Sequence, residues 1–233
     1  MTSLPPAEAV LFDWDNTLVD TWPVIHRALT ATFTHFEMEP WTLEEVHQRV
    51  RGSARDTFPA LFGMARTAEA TEVFYCAFQD CHLAALAALP GAEALLAALC
   101  DAGLYLALVS NKRGDFLRRE MAHLGWGKYF SAAVGANDAG KDKPAIDPVL
   151  LALAPARASA SGPGEARALT PNARVWFVGD TDIDLLCAAT AGCTGVLLRA
   201  LPPAPGEFAA APPAAYAESF GQLLGLVMAS RRS

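Results

Sequence analysis

Three aspartates, Asp13, Asp15 and Asp20, fall within eight residues of the stretch VLFDWDNTLVD, directly behind an apolar run. Other polar groupings stand in the same relation to later apolar runs. Ser110, Asn111 and Lys112 follow LYLALV, and the acidic GDTDID, Gly179 to Asp184, follows RVWFV. Two lysines, Lys141 and Lys143, sit in KDKP, a loop beyond the short run AAV. Gathered at one crevice, a hydroxyl, a lysine and a carboxylate cluster supply what phosphoryl transfer needs. Carboxylates on two strand ends hold Mg²⁺, a hard cation that prefers oxygen ligands and keeps some of its waters. A serine hydroxyl with neighbouring backbone N–H groups binds phosphate oxygens, and a lysine offsets charge developing around the phosphorus. An aspartate can also act as nucleophile through an aspartyl-phosphate.

The elements that must bring these groups together are legible as apolar runs. Ala9 to Phe12, Leu104 to Val109, Ala132 to Val134, Arg174 to Val178 and Gly195 to Leu198 are short and nearly continuous in hydrophobicity, as expected of strands covered on both faces. Helical patterns lie between most of them, among them Leu95, Leu96 and Leu99 and then DFLRREMAHL. This alternation predicts an α/β fold, a mostly parallel Rossmann-like sheet with flanking helices. In such a sheet ligands gather at the carboxyl ends of the strands, near a topological switch point. Asp13 and Asp15 occupy such an end and would project into that crevice.

The gap between the first and second strands is too long for one crossover, and Trp22 to Ala88 offers no convincing strand. Its apolar residues recur at helical spacing, with Ile25, Leu29, Phe33 and Phe36 on one face, and Ser53 with Asp56 resembles a capping box. The spacing predicts an inserted helical domain over residues 20–89, the core being 1–19 and 90–233, with Pro90-Gly91 marking the return. Phe58, Phe62, Phe74 and Phe78 continue the helical spacing and read as core. APARASASGPGEARALTPNA and LPPAPGEFAAAPPAA, rich in Ala and Pro, read as irregular surface segments.

Four motifs in this order resemble those of the haloacid dehalogenase (HAD) superfamily: DWDNT its DxDx[TV] signature, SNK its second motif, DKP its lysine motif and GDTDID its acidic motif. The helical insert resembles the C1 cap of the subgroup that contains phosphoglycolate phosphatases and β-phosphoglucomutases. The resemblance implies that Asp13 attacks phosphorus while Asp15 protonates the leaving alcohol and then deprotonates water. It implies Mg²⁺ held by the Asp13 carboxylate, the Asp15 backbone carbonyl and Asp180, with Asp184 acting through a water. Lys143, next to Pro144, is the motif lysine, leaving Lys141 a solvated loop charge. Thr17, Ser110 and the Asn111 backbone would position phosphate or the motif loop. Asn16 stands where many relatives have glycine, and asparagine tolerates the left-handed region. Asp20 takes a linker or helix-capping role. Arg55, beside Arg51 at a helix start, is a candidate for reading a second anionic group of the substrate.

The expected activity is Mg²⁺-dependent hydrolysis of a small phosphomonoester. A phosphomutase using the same two aspartates, or a silent binding protein on this scaffold, are the alternatives. A formal net charge of -7 gives no basic footprint for nucleic acid. The five cysteines form no CxxC pair or zinc-spaced cluster and read as buried thiols of a reducing compartment. With no secretory signal and no membrane-length apolar stretch, the expected setting is cytoplasmic. The oligomeric state is not legible.

Overall fold

The computed structural model describes residues 4–50, 54–159 and 169–232. Along the chain the elements are β1 (Ala9–Phe12), β2 (Val19–Asp20), α1 (Trp22–His35), α2 (Leu43–Arg49), α3 (Ala54–Phe62), α4 (Thr67–Ala85), β3 (Ala87–Ala88) and α5 (Ala92–Asp101). There follow β4 (Tyr105–Arg113), α6 (Gly114–His123), β5 (Ala132–Ala136), α7 (Asp147–Ser159), β6 (Val175–Gly179), α8 (Asp182–Ala191), β7 (Thr194–Leu198), β8 (Ala215–Ala217) and α9 (Phe220–Ser230). The chain divides into two compact units, Met1–Leu18 with Ala88–Ser233, and Val19–Ala87. A two-stranded ribbon, β2 against β3, marks where the chain passes from one to the other.

The larger unit is an α/β structure built on a six-stranded sheet of order β5-β4-β1-β6-β7-β8, in which every described pairing is parallel. Parallel strands need crossovers, and covering both faces leaves the central strands apolar throughout. All four residues of β1 and all five of β6 are accordingly buried. Val149, Ala152 and Leu153 of α7 join Cys187, Ala188 and Ala191 of α8 over one face, on Leu11, Val109 and Phe177. A fully buried side chain of this size contributes about 1.5–3 kcal/mol.

The chain runs outward from β1 to β4 and β5, then returns to β6 on the other side of β1. That reversal is the topological switch point. The carboxyl ends of β1 and β6 and the carboxyl-terminal half of β4 flank it, and they carry Asp13, Asp180 and Ser110. In the smaller unit α1 packs on α4, and its phenylalanines meet as rings: Phe33 with Phe62 at 5.4 Å, Phe58 with Phe74 at 5.4 Å and Phe74 with Phe78 at 5.9 Å. Such pairing is an ordinary aromatic core.

Three expectations need correction. Ala87–Ala88, inside the stretch read as strandless, pairs with Val19–Asp20; alanine carries little strand propensity, and backbone pairing alone makes this strand. Residues 154–159, read as loop, complete α7 despite Pro155, and the strand AYA at 215–217 closes a segment read as irregular. The segment ahead of that strand is anchored: Phe208 and Ala211 are buried against Leu185 and Leu197, and Arg199 pairs with Glu207 at 2.6 Å. Ser53 lies outside the described residues, as do the side chains of Arg55 and Asp56. Among the described residues, no helix is long and apolar enough to cross a membrane.

Close backbone approach fixes how α6 leaves the sheet. A Cβ on Gly135 would meet the Gly114 Cα at 2.4 Å and the Lys112 carbonyl oxygen at 2.6 Å. Those are backbone atoms and cannot swing aside. On Gly225, inside α9, a Cβ would meet nothing within 4 Å. Gly135→Ala is therefore expected to destabilise the fold by about 1–3 kcal/mol through overpacking. Gly225→Ala should stabilise it by about 0.5–1 kcal/mol, since alanine loses less backbone entropy in a helix. Urea unfolding of the two variants checks both signs.

Candidate active site

The site begins where β1 ends. The Asp13 N–H donates to the Val178 carbonyl at 2.9 Å, extending the β1–β6 ladder by one residue and aligning Asp13 with the end of β6. The chain then turns, with the Leu18 N–H donating to the Trp14 carbonyl at 3.0 Å and Asn16 at φ 60°, the left-handed conformation expected of it. This turn brings Thr17 to Asp180, where its hydroxyl donates to Oδ1 at 3.2 Å. Asp20 accepts from the Trp22 N–H at 3.2 Å at the start of α1, in keeping with a capping role.

β4 departs from the expectation that SNK follows a strand. The strand runs on through Arg113, and its register with β5 breaks between Val109 and Arg113. Ser110, Asn111 and Lys112 occupy this irregularity. A bulge re-aims side chains that a regular pleat would alternate between faces. The Asn111 side chain is turned to the lysine loop, where Nδ2 donates to the Lys143 carbonyl at 3.2 Å and Oδ1 accepts from the Lys143 N–H at 3.0 Å. Ser110 is buried, and its Oγ accepts from the Lys112 N–H at 3.2 Å.

Held by that clamp, the Lys143 ammonium donates to Asp13 Oδ1 at 2.6 Å and to Asp184 Oδ1 at 2.7 Å. Lys143 is 6% exposed, whereas Lys141 is exposed to solvent. Asp184, also buried, uses its other oxygen to accept from the Thr181 N–H at 3.1 Å and the Thr181 hydroxyl at 2.7 Å, at the start of α8. Gly179 makes room for it: a Cβ there would meet the Asp184 Cβ at 2.4 Å.

Asp13, Asp180 and Asp184 each offer a carboxylate oxygen within 4.8 Å of the others. Burial pushes the Asp13 carboxyl up to about 6, opposed by Lys143 and reinforced by Asp184 and Asp15. Burial likewise raises Asp180 well above the ordinary range, with Asp184 and Asp13 adding to it. Lys143 is raised in its turn, because Asp13 and Asp184 outweigh the burial that opposes its charge. One ammonium facing three carboxylates leaves an excess of negative charge lined with hard oxygen donors. That is a donor set suited to a divalent cation of the Mg²⁺ kind.

The sequence reading singled out the aspartates, Ser110 and Lys143, and the fold brings them to one sheet edge. Lys112 was noted there only within SNK, and Glu120 and Trp14 were not singled out; the three form a chain of contacts that ends on Asp15. Lys112 Nζ lies 2.6 Å from Asp15 Oδ1 and 2.6 Å from Glu120 Oε2, and Trp14 Nε1 donates to that same Glu120 oxygen at 2.7 Å. A signal was available: Glu120 falls on the stripe of α6 that Phe116 and Leu117 bury, where a charged residue needs a partner.

Residues 10–198 match the family model described as haloacid dehalogenase-like hydrolase. A phosphoglycolate phosphatase of Aquifex aeolicus is 29% identical over 78% of this chain and 80% of its own. An N-acetylmuramic acid 6-phosphate phosphatase of Pseudomonas aeruginosa is 30% identical over 82% of this chain and 81% of its own. Among solved structures, a haloacid dehalogenase-like hydrolase from Streptococcus pneumoniae superposes with a TM-score of 0.79 at 19% identity, covering 94% of this chain and 97% of that one.

The raised carboxyls have a signed consequence for stability. Asp13 titrates near 6 when folded and near 3.8 when unfolded, so the cation-free folded state binds more protons between those values. Its contribution is fullest below the unfolded value and is lost as pH rises through the folded one; Asp180 acts in the same direction. A cation that binds the ionised cluster should therefore raise the melting temperature more at about pH 7.5 than at about pH 5. Thermal melts with Mg²⁺ or EDTA at both values check this, and an equal shift at both would contradict it.

Proposed function

The chain belongs to the haloacid dehalogenase-like hydrolases, and we propose that this phosphatase hydrolyses a small phosphomonoester, with Mg²⁺, through a phosphoryl group carried on Asp13. The observation that supports the reading most is the buried Asp13 carboxylate at the switch point, held 2.6 Å from the Lys143 ammonium. A nucleophile needs an ionised oxygen aimed at phosphorus, and Lys143 favours that ionised form while fixing one oxygen. Asp15, two residues on, serves as acid for the leaving alcohol and as base for water. Asp13, the Asp15 carbonyl and Asp180 would hold Mg²⁺, with Asp184 acting through a water. When bound, the cation supplies Lewis-acid polarisation of a phosphoryl oxygen. Ser110 and the Asn111 backbone would bind phosphate oxygens, while Thr17 steadies Asp180.

The two named relatives act on different phosphorylated compounds, phosphoglycolate and N-acetylmuramic acid 6-phosphate. Their common element is a phosphomonoester, and that is the substrate class proposed here. A panel of phosphoglycolate, sugar phosphates and nucleoside monophosphates, ranked by kcat/KM, identifies the leaving group. Isomer formation without phosphate release would replace hydrolysis by a mutase reaction.

Turnover of p-nitrophenyl phosphate is expected to require added Mg²⁺ and to vanish in excess EDTA. Asp180→Ala should raise the Mg²⁺ concentration for half-maximal activity at least about tenfold, the order found when supports of a metal site are removed. Its cooperative unfolding should persist. Full activity in EDTA would sink the metal-dependent reading, and unchanged Mg²⁺ activation in the variant would remove Asp180 from it.

A further inference from the structure

Each of the two aspartates at the end of β1 has its own buried lysine. Lys143 meets Asp13; Lys112, from the β4 bulge, meets Asp15. The Lys112 ammonium is confined from behind by Glu120, whose side chain is only 1% exposed and whose Oε2 accepts from both Lys112 Nζ and Trp14 Nε1. Trp14 is itself fully buried, edge-on to Trp126 at a ring separation of 5.7 Å. The chain of contacts thus runs from an aromatic wedge through a buried carboxylate and an ammonium to the Asp15 carboxylate, the most exposed member, with a side chain 22% exposed.

A buried ion pair is costly to maintain, because two charges give up water for one attraction. On a helix face shared with Phe116 and Leu117, a buried ion pair is weak evidence of a purely stabilising role. The arrangement makes chemical sense if the lysine must stay in one place. The Lys112 side chain is only 6% exposed and lies between two carboxylates. With Glu120 and Asp15 each 2.6 Å away, the lysine is drawn away from solvent and fixes one oxygen of Asp15.

We propose that Lys112 is a positioning residue for proton transfer, anchored by Glu120 and Trp14, which orients the Asp15 carboxylate toward the leaving group and then toward water. The inference rests on the phosphatase reading above. In the first step an Asp13 oxygen bonds to phosphorus, the bond from phosphorus to the leaving oxygen breaks, and that oxygen takes the proton of Asp15. In the second, Asp15 takes a proton from water, the water oxygen bonds to phosphorus, and the Asp13–phosphorus bond breaks with its electron pair returning to Asp13. Asp15 ends protonated, ready for the next substrate. A carboxylate free to rotate would serve both steps poorly, since proton transfer needs hydrogen-bond reach to two successive partners.

Single-turnover quenched flow with p-nitrophenyl phosphate separates the steps. p-Nitrophenol release reports attack by Asp13 and needs little acid help; inorganic phosphate release reports hydrolysis and needs Asp15 as base. In Lys112→Met, p-nitrophenol release should stay within about threefold of wild type while phosphate release slows at least about tenfold, part of the factor that general acid–base catalysis supplies. Glu120→Gln keeps an oxygen for Trp14 and Lys112 and should slow phosphate release less than Glu120→Leu, which should follow Lys112→Met. Should Lys112→Met fail to fold, the Glu120 pair decides by the same split. Equal slowing of both steps, or weakened inhibition by inorganic phosphate, would overturn the inference in favour of a phosphate-binding or merely structural lysine. Unchanged rates in Lys112→Met would overturn it outright while leaving the phosphatase reading intact. A wild-type protein releasing neither product would instead remove that reading, and this inference with it.

Discussion

The rest of the structure depends on one ammonium. Lys143 Nζ stands between Asp13 and Asp184, at 2.6 and 2.7 Å, inside a cluster of three carboxylates whose oxygens lie within 4.8 Å of one another. Without a cation there, like charges at such separations in a water-poor setting would force protons onto the carboxyls. Much of the architecture serves to hold that ammonium. The Asn111 amide binds both the N–H and the carbonyl of Lys143. Gly179 lets Asp184 lie against the strand end, and Thr181 fixes the oxygen of Asp184 that Lys143 does not take.

The crevice therefore contains two electrostatic compartments on one strand end. Asp13 lies in the deep one, with Lys143, Asp180 and Asp184, where burial raises carboxyl proton affinity and favours a divalent cation. Asp15 lies in the shallower one, with Lys112 and Glu120. Two aspartates separated by a single residue would otherwise share an environment. Lysines from different elements, Lys143 from a loop and Lys112 from β4, give them distinct partners. Two carboxylates with distinct partners can take different tasks, one as nucleophile and one as proton carrier.

The central strands were readable from sequence because strands buried on both faces leave continuous apolar runs, and Asp13 and Asp180 were readable as candidates because polar residues behind such runs fall at one end of the sheet, whereas Lys143 was singled out by the resemblance of DKP to a family motif. What escaped was fixed mostly by contacts between residues distant in sequence. β3 is two alanines held only by backbone pairing. The Lys112–Glu120–Trp14 contacts join residues as far apart as 106 positions; the stripe of α6 marks Glu120 as inward-facing, but its partners come from the packing of α6 on β4. Asn111 was read for its backbone, yet its side chain is the clamp on Lys143, a contact across 32 positions. The expected role of Arg55 concerns a side chain outside the described residues.

The central claim is that phosphorus bonds to Asp13 while Asp15 moves protons. It is tested most directly by mass spectrometry of the Asp15→Asn protein, acid-quenched after incubation with acetyl phosphate, whose leaving group needs little protonation. The account predicts one added phosphoryl group, stable for want of a base and localised to the peptide that carries Asp13. A phosphoryl group on Ser110 instead, or wild-type turnover by this variant with no phosphorylated protein, would contradict it.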